Sequence, residues 1–226
     1  MATSDVRKTI LEIINVVQRR LGVNTTDTVS QTQQSLMLLE LLNDVIDECS
    51  DYGDWQQMFR EVEVTAISSV GTYEVKASAQ VKNIYEIVWD DDIAPMEVLE
   101  IQDIRRLRRV GSHGTPRQFA IVGMSAANPL FRVYPTPTTA STFDVAFYKK
   151  PRIYGTSDGG VTPSFPAKML ELGLYAKALL EENGGDPTPQ YEMSYNEYAR
   201  ARSEALNRFN ADTGTDMYIT PVGTRY

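Results

Sequence analysis

The chain has 226 residues, a formal net charge of −8, one cysteine and one histidine. That length suits one large domain, or a helical domain carrying an insertion, and a net acidic chain is the opposite of what gripping nucleic acid by its phosphates calls for. One Cys and one His exclude a disulfide framework and a Cys/His metal site within a single copy.

The N-terminal MATSDVRKTILEIINVV lacks the long apolar run of a signal peptide, and no stretch approaches the ~20 apolar residues of a membrane span. The reading is a soluble, intracellular protein made in a reducing compartment. Residues 4–21 read as an amphipathic helix, with Ser4 or Thr3 as the cap and Asp5 at the positive end of the dipole. Val6, Ile10, Ile13, Ile14, Val17 and Leu21 form its apolar face, and Gly22 ends it. After a polar loop to Val29, Ser30 and Gln33 have the spacing of a capping box. The second helix carries Leu36, Leu39, Leu42, Val45, Ile46 and Cys49 and stops near Tyr52-Gly53. Cys49 reads as a small core residue.

The hydrophobic period then changes from 3.6 to 2. Glu61–Ile67 (EVEVTAI) alternates, and Tyr73-Glu74-Val75 after Gly71 reads as the return of a hairpin. Further strands are expected at Ile84–Trp89, Met96–Ile101, Gln118–Val122, Leu130–Tyr134 and Thr142–Tyr148. The last two are expected to form a hairpin around Pro135-Thr136-Pro137.

Two helices close the chain. Ser164 is the expected N-cap of the first, with Pro166 in its opening turn. Phe165, Met169, Leu172, Leu174, Ala176, Leu179 and Leu180 give it one broad buried face, and Asn183-Gly184-Gly185 stops it. The second runs from about Gln190 to Phe209, with Tyr191, Tyr195, Tyr198, Ala201, Ala205, Leu206 and Phe209 in a stripe. The short Asp186–Pro189 connection sets the pair antiparallel. The expected fold is α+β. N- and C-terminal helix pairs (residues 1–59 and 151–210) form a four-helix bundle, residues 60–150 are an inserted antiparallel β-sandwich or small barrel, and 211–226 is an interaction tail.

This layout resembles the head–tail adaptor proteins of tailed bacteriophages, also called head-completion or tail tubular A proteins. The matching residues are Gly114-Thr115-Pro116 leading into the strand Gln118–Val122, and Leu130–Tyr134 running into Pro135-Thr136-Pro137. With them go Val145–Pro151 (VAFYKKP), Pro163-Ser164-Phe165-Pro166 before a helix containing Tyr175-Ala176, and the final helix Tyr191–Phe209. The likeness covers about 115–210 well and the first two helices by architecture only; the stretch Ala211–Tyr226 departs from the pattern. The resemblance implies a structural virion protein of the head–tail junction, made in the host cytoplasm. It implies a homo-oligomeric ring of twelve subunits, with self-association weak or absent in solution and the ring templated by the portal protein. Its far face meets a tail or nozzle protein, and DNA passes through the lumen without specific binding. It implies no enzymatic activity, no cofactor and no membrane contact.

Against that background several clusters are singled out. Arg105, Arg106, Arg108 and Arg109, with Arg117 nearby, offer a contact to DNA phosphates or to an acidic rim on a neighbouring ring protein. The other reading is a solvated helix surface balancing Glu97, Glu100 and Asp103. A protein partner fits better than DNA, because a channel must let DNA slide. Asp90-Asp91-Asp92 has carboxylates suited to a hard cation but not the spacing of a calcium loop, and reads as an exposed turn. Ser112 and His113 lack any surrounding hydrolase motif. Glu61 and Glu63 share a strand face, as a pair of catalytic carboxylates or simply as a solvent face. A ligand- or carbohydrate-binding module on the β insertion is the alternative function; it calls for clustered exposed aromatics on one sheet face. In the tail, Met217, Tyr218, Ile219 and Tyr226 form an apolar-rich strip at a chain terminus. It either folds back on its own bundle or reaches another subunit or the portal and orders on assembly, and the second reading is adopted.

Overall fold

The computed structural model describes residues 7–89, 94–125 and 128–211, with side chains through residue 208. The fold is mixed α+β. In chain order the elements are α1 (Ile10–Arg20), α2 (Gln33–Tyr52), β1 (Phe59–Ala66), β2 (Thr72–Glu74), β3 (Val81–Trp89), β4 (Glu97–Val98) and α3 (Ile101–Val110). They continue as β5 (Gln118–Ser125), β6 (Asn128–Tyr134), β7 (Ser141–Lys149), α4 (Ala167–Glu182) and α5 (Pro189–Ala211). The chain divides into two compact units, one made of the segments up to Gln57 and from Pro151, the other of Met58–Lys150.

In the helical unit α4 is the hub, touching α1, α2 and α5. Its sequence explains why. Met169, Leu170, Leu172, Leu174, Ala176, Ala178 and Leu179 are all buried, so the helix is covered on nearly every side rather than along the single broad face expected from the sequence. Glu171 is also buried and is neutralised by an ion pair with Lys8. At Gly173 a Cβ would stand 2.7 Å from Val45 Cγ1 on α2 and 2.8 Å from the Tyr198 ring on α5. Both neighbours therefore approach α4 more closely than any side chain there would allow.

The helix starts differ from expectation. Thr9, not Ser4 or Thr3, caps α1: its hydroxyl accepts from the Glu12 N–H, while the Glu12 carboxylate accepts from the Thr9 N–H at 2.7 Å. Thr3, Ser4, Asp5 and Val6 lie outside the described residues. The Ile10 and Leu11 N–H groups donate to the carbonyls of Val161 and Gly159, so the returning chain finishes the cap. For α2 the reciprocal pair is Thr32 and Ser35 instead of Ser30 and Gln33. The buried Ser35 hydroxyl is anchored on the Val29 carbonyl at 2.7 Å, and Leu38 is fully buried while Leu36 is only half-buried. For α4 the cap is Pro166, and Ser164 makes no cap bond.

On α5 the buried line is Ser194, Tyr198 and Leu206 with the largely covered Arg202 between, a strict four-residue repeat. Tyr195, expected in the stripe, is exposed and Tyr191 is half-buried. Arg202 pairs with Glu48 and lies over the Tyr52 ring at 4.0 Å from its centroid. Beside it, Cys49 Sγ and the Tyr198 hydroxyl sit 3.2 Å apart. Burial pushes the Cys49 thiol up from its ordinary value of 9.0 to about 12.

In the second unit, one sheet has the order β1-β7-β3 and the other β2-β6-β5-β4. Both contribute to one core, where Val64, Phe143, Val145, Ile87 and Trp89 meet Tyr73, Phe119, Phe131 and Val133. Two expected hairpins do not form. β6 is flanked by β5 and β2, and β7 by β1 and β3, so neither has a free edge for the other, and the Pro135–Pro137 segment crosses between sheets. β2 pairs with β6 rather than returning along β1. Ser69 turns the chain in the left-handed region (φ 65°), and the Tyr73 hydroxyl donates to the Ile67 and Val70 carbonyls. The strand expected over Met96–Ile101 is reduced to Glu97–Val98, parallel to β5, and Ile101 opens a helix. Its cause is a three-residue spacing of Ile101, Ile104 and Leu107 that overrides the alternation before it.

Two outcomes follow. Gly173→Ala should lose stability by about 1–3 kcal/mol through overpacking, although helix propensity alone favours Ala over Gly by ~1 kcal/mol. Leu172→Ala, at a 6% exposed site, should lose roughly 2–5 kcal/mol. Urea midpoints of the purified variants measure both, and a stabilised Gly173→Ala would refute the tight crossing. The raised Cys49 pKa sets a pH dependence. The folded thiol stays protonated where the unfolded one ionises, so its contribution is complete below pH 9.0 and is lost as pH rises towards about 12. The urea midpoint should fall through that window, and fall less steeply in Cys49→Ala.

Candidate partner-binding surface

The arginine run is α3. Its apolar side is narrow: Ile104 is fully buried, with Ile101 and Leu107 half-buried. Arg105, Arg106, Arg108 and Arg109 are all exposed on the remaining surface. Gly111 ends the helix at φ 63°, a conformation a side chain would resist. Arg106 reaches Asp103 at 3.4 Å, an exposed pair of little energetic weight. Glu97 accepts from the Gln118 side chain at 2.7 Å. Among the described residues no carboxylate pairs with Arg105, Arg108 or Arg109.

The structure adds a residue that the run did not reveal. α3 packs against β5 and β6, and Arg132 on β6 donates through Nε to the Thr72 hydroxyl at 3.0 Å. The Arg108 guanidinium carbon lies 3.8 Å from where a Cβ on Gly71, the residue next to Thr72, would stand. Burial pulls the Arg132 pKa down, and the positive charges of Arg108 and Arg105 add to the effect. Arg132 was legible only as an outward position in the alternating Leu130–Tyr134 strand; nothing in the sequence ties it to a helix more than 20 residues earlier.

Glu61 and Glu63 are both exposed, on the outer side of β1. Glu63 stands opposite Asp144, and Glu61 and Glu86 both stand opposite Ala146, so the three strands present four carboxylates on one face. They border a shallow depression over Ala146 and Val88. No Ser, Cys or His accompanies them there, and among the described residues no cluster of three or more His, Cys, Asp or Glu is placed to hold a metal ion. Glu86 and Asp144 were missed from the sequence because which strands are neighbours decides which acids meet.

His113 is exposed and its backbone bridges to Thr136, while the Ser112 carbonyl accepts from the Thr136 N–H; the two serve strand-like pairing. The aromatic platform that a carbohydrate-binding module needs is not formed: among the described strand aromatics Tyr85 alone is exposed. Asp90, Asp91, Asp92 and the tail residues Met217, Tyr218, Ile219 and Tyr226 lie outside the described residues. No helix among the described residues is long and apolar enough to cross a membrane.

With this geometry in hand, comparison with known proteins is informative. The family model described as SU10 adaptor protein matches residues 8–225. The match extends through the C-terminal stretch that the sequence reading had set apart from the adaptor pattern. Among solved structures, a chain from "Neck of empty GTA particle computed with C6 symmetry" shows 14% identity over 83% of this chain and 84% of that chain. Its TM-score of 0.28 is too low to carry an argument. No curated protein matches the chain.

If the arginines of α3 are kept for a partner rather than for the fold, Arg105→Ala and Arg108→Ala should leave the Tm of the isolated protein unchanged or slightly raised at low salt, as like charges near Arg132 are removed. Differential scanning calorimetry checks this; a clear drop in Tm would make the cluster structural.

Proposed function

Since the chain belongs to the SU10 adaptor protein family, as its resemblance to phage head–tail adaptors implied, we propose that it forms an adaptor ring between the portal and the tail of a tailed phage. The single observation carrying this reading is the family match over residues 8–225. The ring extends the DNA channel, docks on the portal with one face and receives a tail or nozzle protein on the other. Its work is assembly rather than catalysis. Twelve copies is the number the head–tail adaptor resemblance implies.

In this reading α1, α2, α4 and α5 are the bundle, with residues 60–150 as its inserted two-sheet domain. The net negative charge suits a channel wall, because acidic groups repel DNA phosphates and keep sliding free of specific contacts. Residues 211–226 act as an arm to the portal or a neighbouring subunit. Met217, Tyr218, Ile219 and Tyr226 supply its apolar anchors, since aromatic side chains concentrate binding energy.

The test uses portal-bearing, tail-less heads and the full chain. The parent protein should co-sediment with the heads. A chain ending at Asn210, with residues 211–226 deleted, should keep its Tm but no longer be recruited. Failure of the parent to bind heads would refute the adaptor role. A collapse of Tm on truncation, or recruitment that survives it, would refute the arm.

A further inference from the structure

Resting on the adaptor reading, we propose that the arginine face of α3, with Arg132, is one half of a contact between copies of this chain, and that the other half is the carboxylate-lined outer face of the β1-β7-β3 sheet. Both halves belong to the unit Met58–Lys150.

Their placement follows from register. Thr72, Ala120 and Arg132 stand opposite one another across β2, β5 and β6 and so share a face. The alternate positions Tyr73, Phe119, Phe131 and Val133 fill the common core. Ile104 and Ala120 are fully buried, yet neither belongs to that core. They are covered because α3 lies on the outer side of its sheet. In the other sheet Val64, Ile87, Phe143 and Val145 turn inward, which leaves Glu61, Glu63, Glu86 and Asp144 outward. The two sheets share one core, so the basic and acidic surfaces face away from each other.

Among the described residues each surface lacks its counterions. No described carboxylate pairs with Arg105, Arg108, Arg109 or Arg132, and no described cation pairs with Glu61, Glu63, Glu86 or Asp144. Grouped like charges cost stability in an isolated chain. Bringing the two surfaces together removes both costs, and guanidinium forks match carboxylates in a two-point geometry that an ammonium cannot provide. The small Ala146 keeps the floor between the carboxylates low enough for long side chains to enter.

Charge also fixes the kind of contact. Acidic face against acidic face, or arginine face against arginine face, is repulsive. A symmetric dimer through either surface is therefore disfavoured, and the favourable contact is head to tail. Such a contact repeats, and it closes into a ring when the rotation per copy allows. DNA is the weaker candidate for the arginines, because the chain itself carries the matching acids and its net charge of −8 opposes a polyanion.

The experiment is sedimentation velocity of the full chain at concentrations up to about 1 mM, which register even a weak contact, at low salt and at about 0.5 M salt, where the Debye length shrinks. Four proteins are compared: the parent, Arg105→Glu/Arg108→Glu, Glu61→Lys/Glu63→Lys, and the chain carrying both pairs. Circular dichroism verifies that each is folded. The parent should self-associate at low salt and dissociate at high salt, each single-face variant should associate at least tenfold more weakly, and the doubly swapped chain should recover. A parent that stays monomeric throughout, a single-face variant that associates like the parent, or a doubly swapped chain that stays monomeric would overturn the proposal. So would an arginine variant that loses only binding to double-stranded DNA. Co-sedimentation of the parent with heads reads the adaptor role separately: heads that bind the parent while the swaps leave self-association intact overturn this interface alone.

Discussion

No side chain fits at position 173, and the helical unit is organised around that fact. Val45 from α2 and the Tyr198 ring from α5 both occupy space that a Cβ would need. The hub helix α4 is thus held from two sides at backbone distance, while Leu170, Leu174 and Ala178 are buried along its length. Close approach brings the polar cluster of Glu48, Cys49, Tyr198 and Arg202 together at the same crossing. Lys177 adds a further cation 3.6 Å from Glu48. Removing one member of such a network leaves its partner uncompensated.

In the β unit, order comes from the sheets' shared aromatic core and charge from their outer faces. Phe143 touches the rings of Tyr73, Trp89 and Phe131, which ties the two sheets through one residue of the central strand β7. α3 covers part of one outer face and presents Arg105, Arg108 and Arg109 beyond it, while the outer face of the β1-β7-β3 sheet carries Glu61, Glu63, Glu86 and Asp144. A mixed surface would be the default for a protein that meets nothing.

The sequence made the helices legible because Ile10, Ile13, Ile14 and Val17, or Leu39, Leu42, Val45 and Ile46, repeat at three and four, and burial requires that period. Their starts were less legible. Serines and threonines crowd both regions, and the choice among Thr3, Ser4 and Thr9, or among Ser30, Thr32 and Ser35, rests on carbonyls brought from elsewhere, such as Val161 to Ile10. Strand existence was readable from alternation, but strand partnership was not: β6 and β7 are adjacent in the chain, yet each already has two neighbours. For the same reason Arg105 and Arg108 could be picked out from the sequence while Arg132, Glu86 and Asp144 could not. Sites assembled across strands depend on a pairing that local pattern does not encode.

The position of the hubs along the chain has a consequence for biosynthesis. β7, which both β1 and β3 need as their partner, is the last strand of its unit, and α4, which α1, α2 and α5 need, follows it. A nascent chain that has emerged only as far as β6 holds two strands of one sheet with nothing between them and two helices without their central support. The ribosome must deliver about two-thirds of the polypeptide before the β unit can close and about four-fifths before α4 is complete, so chaperone protection would matter for most of the time each copy is being made.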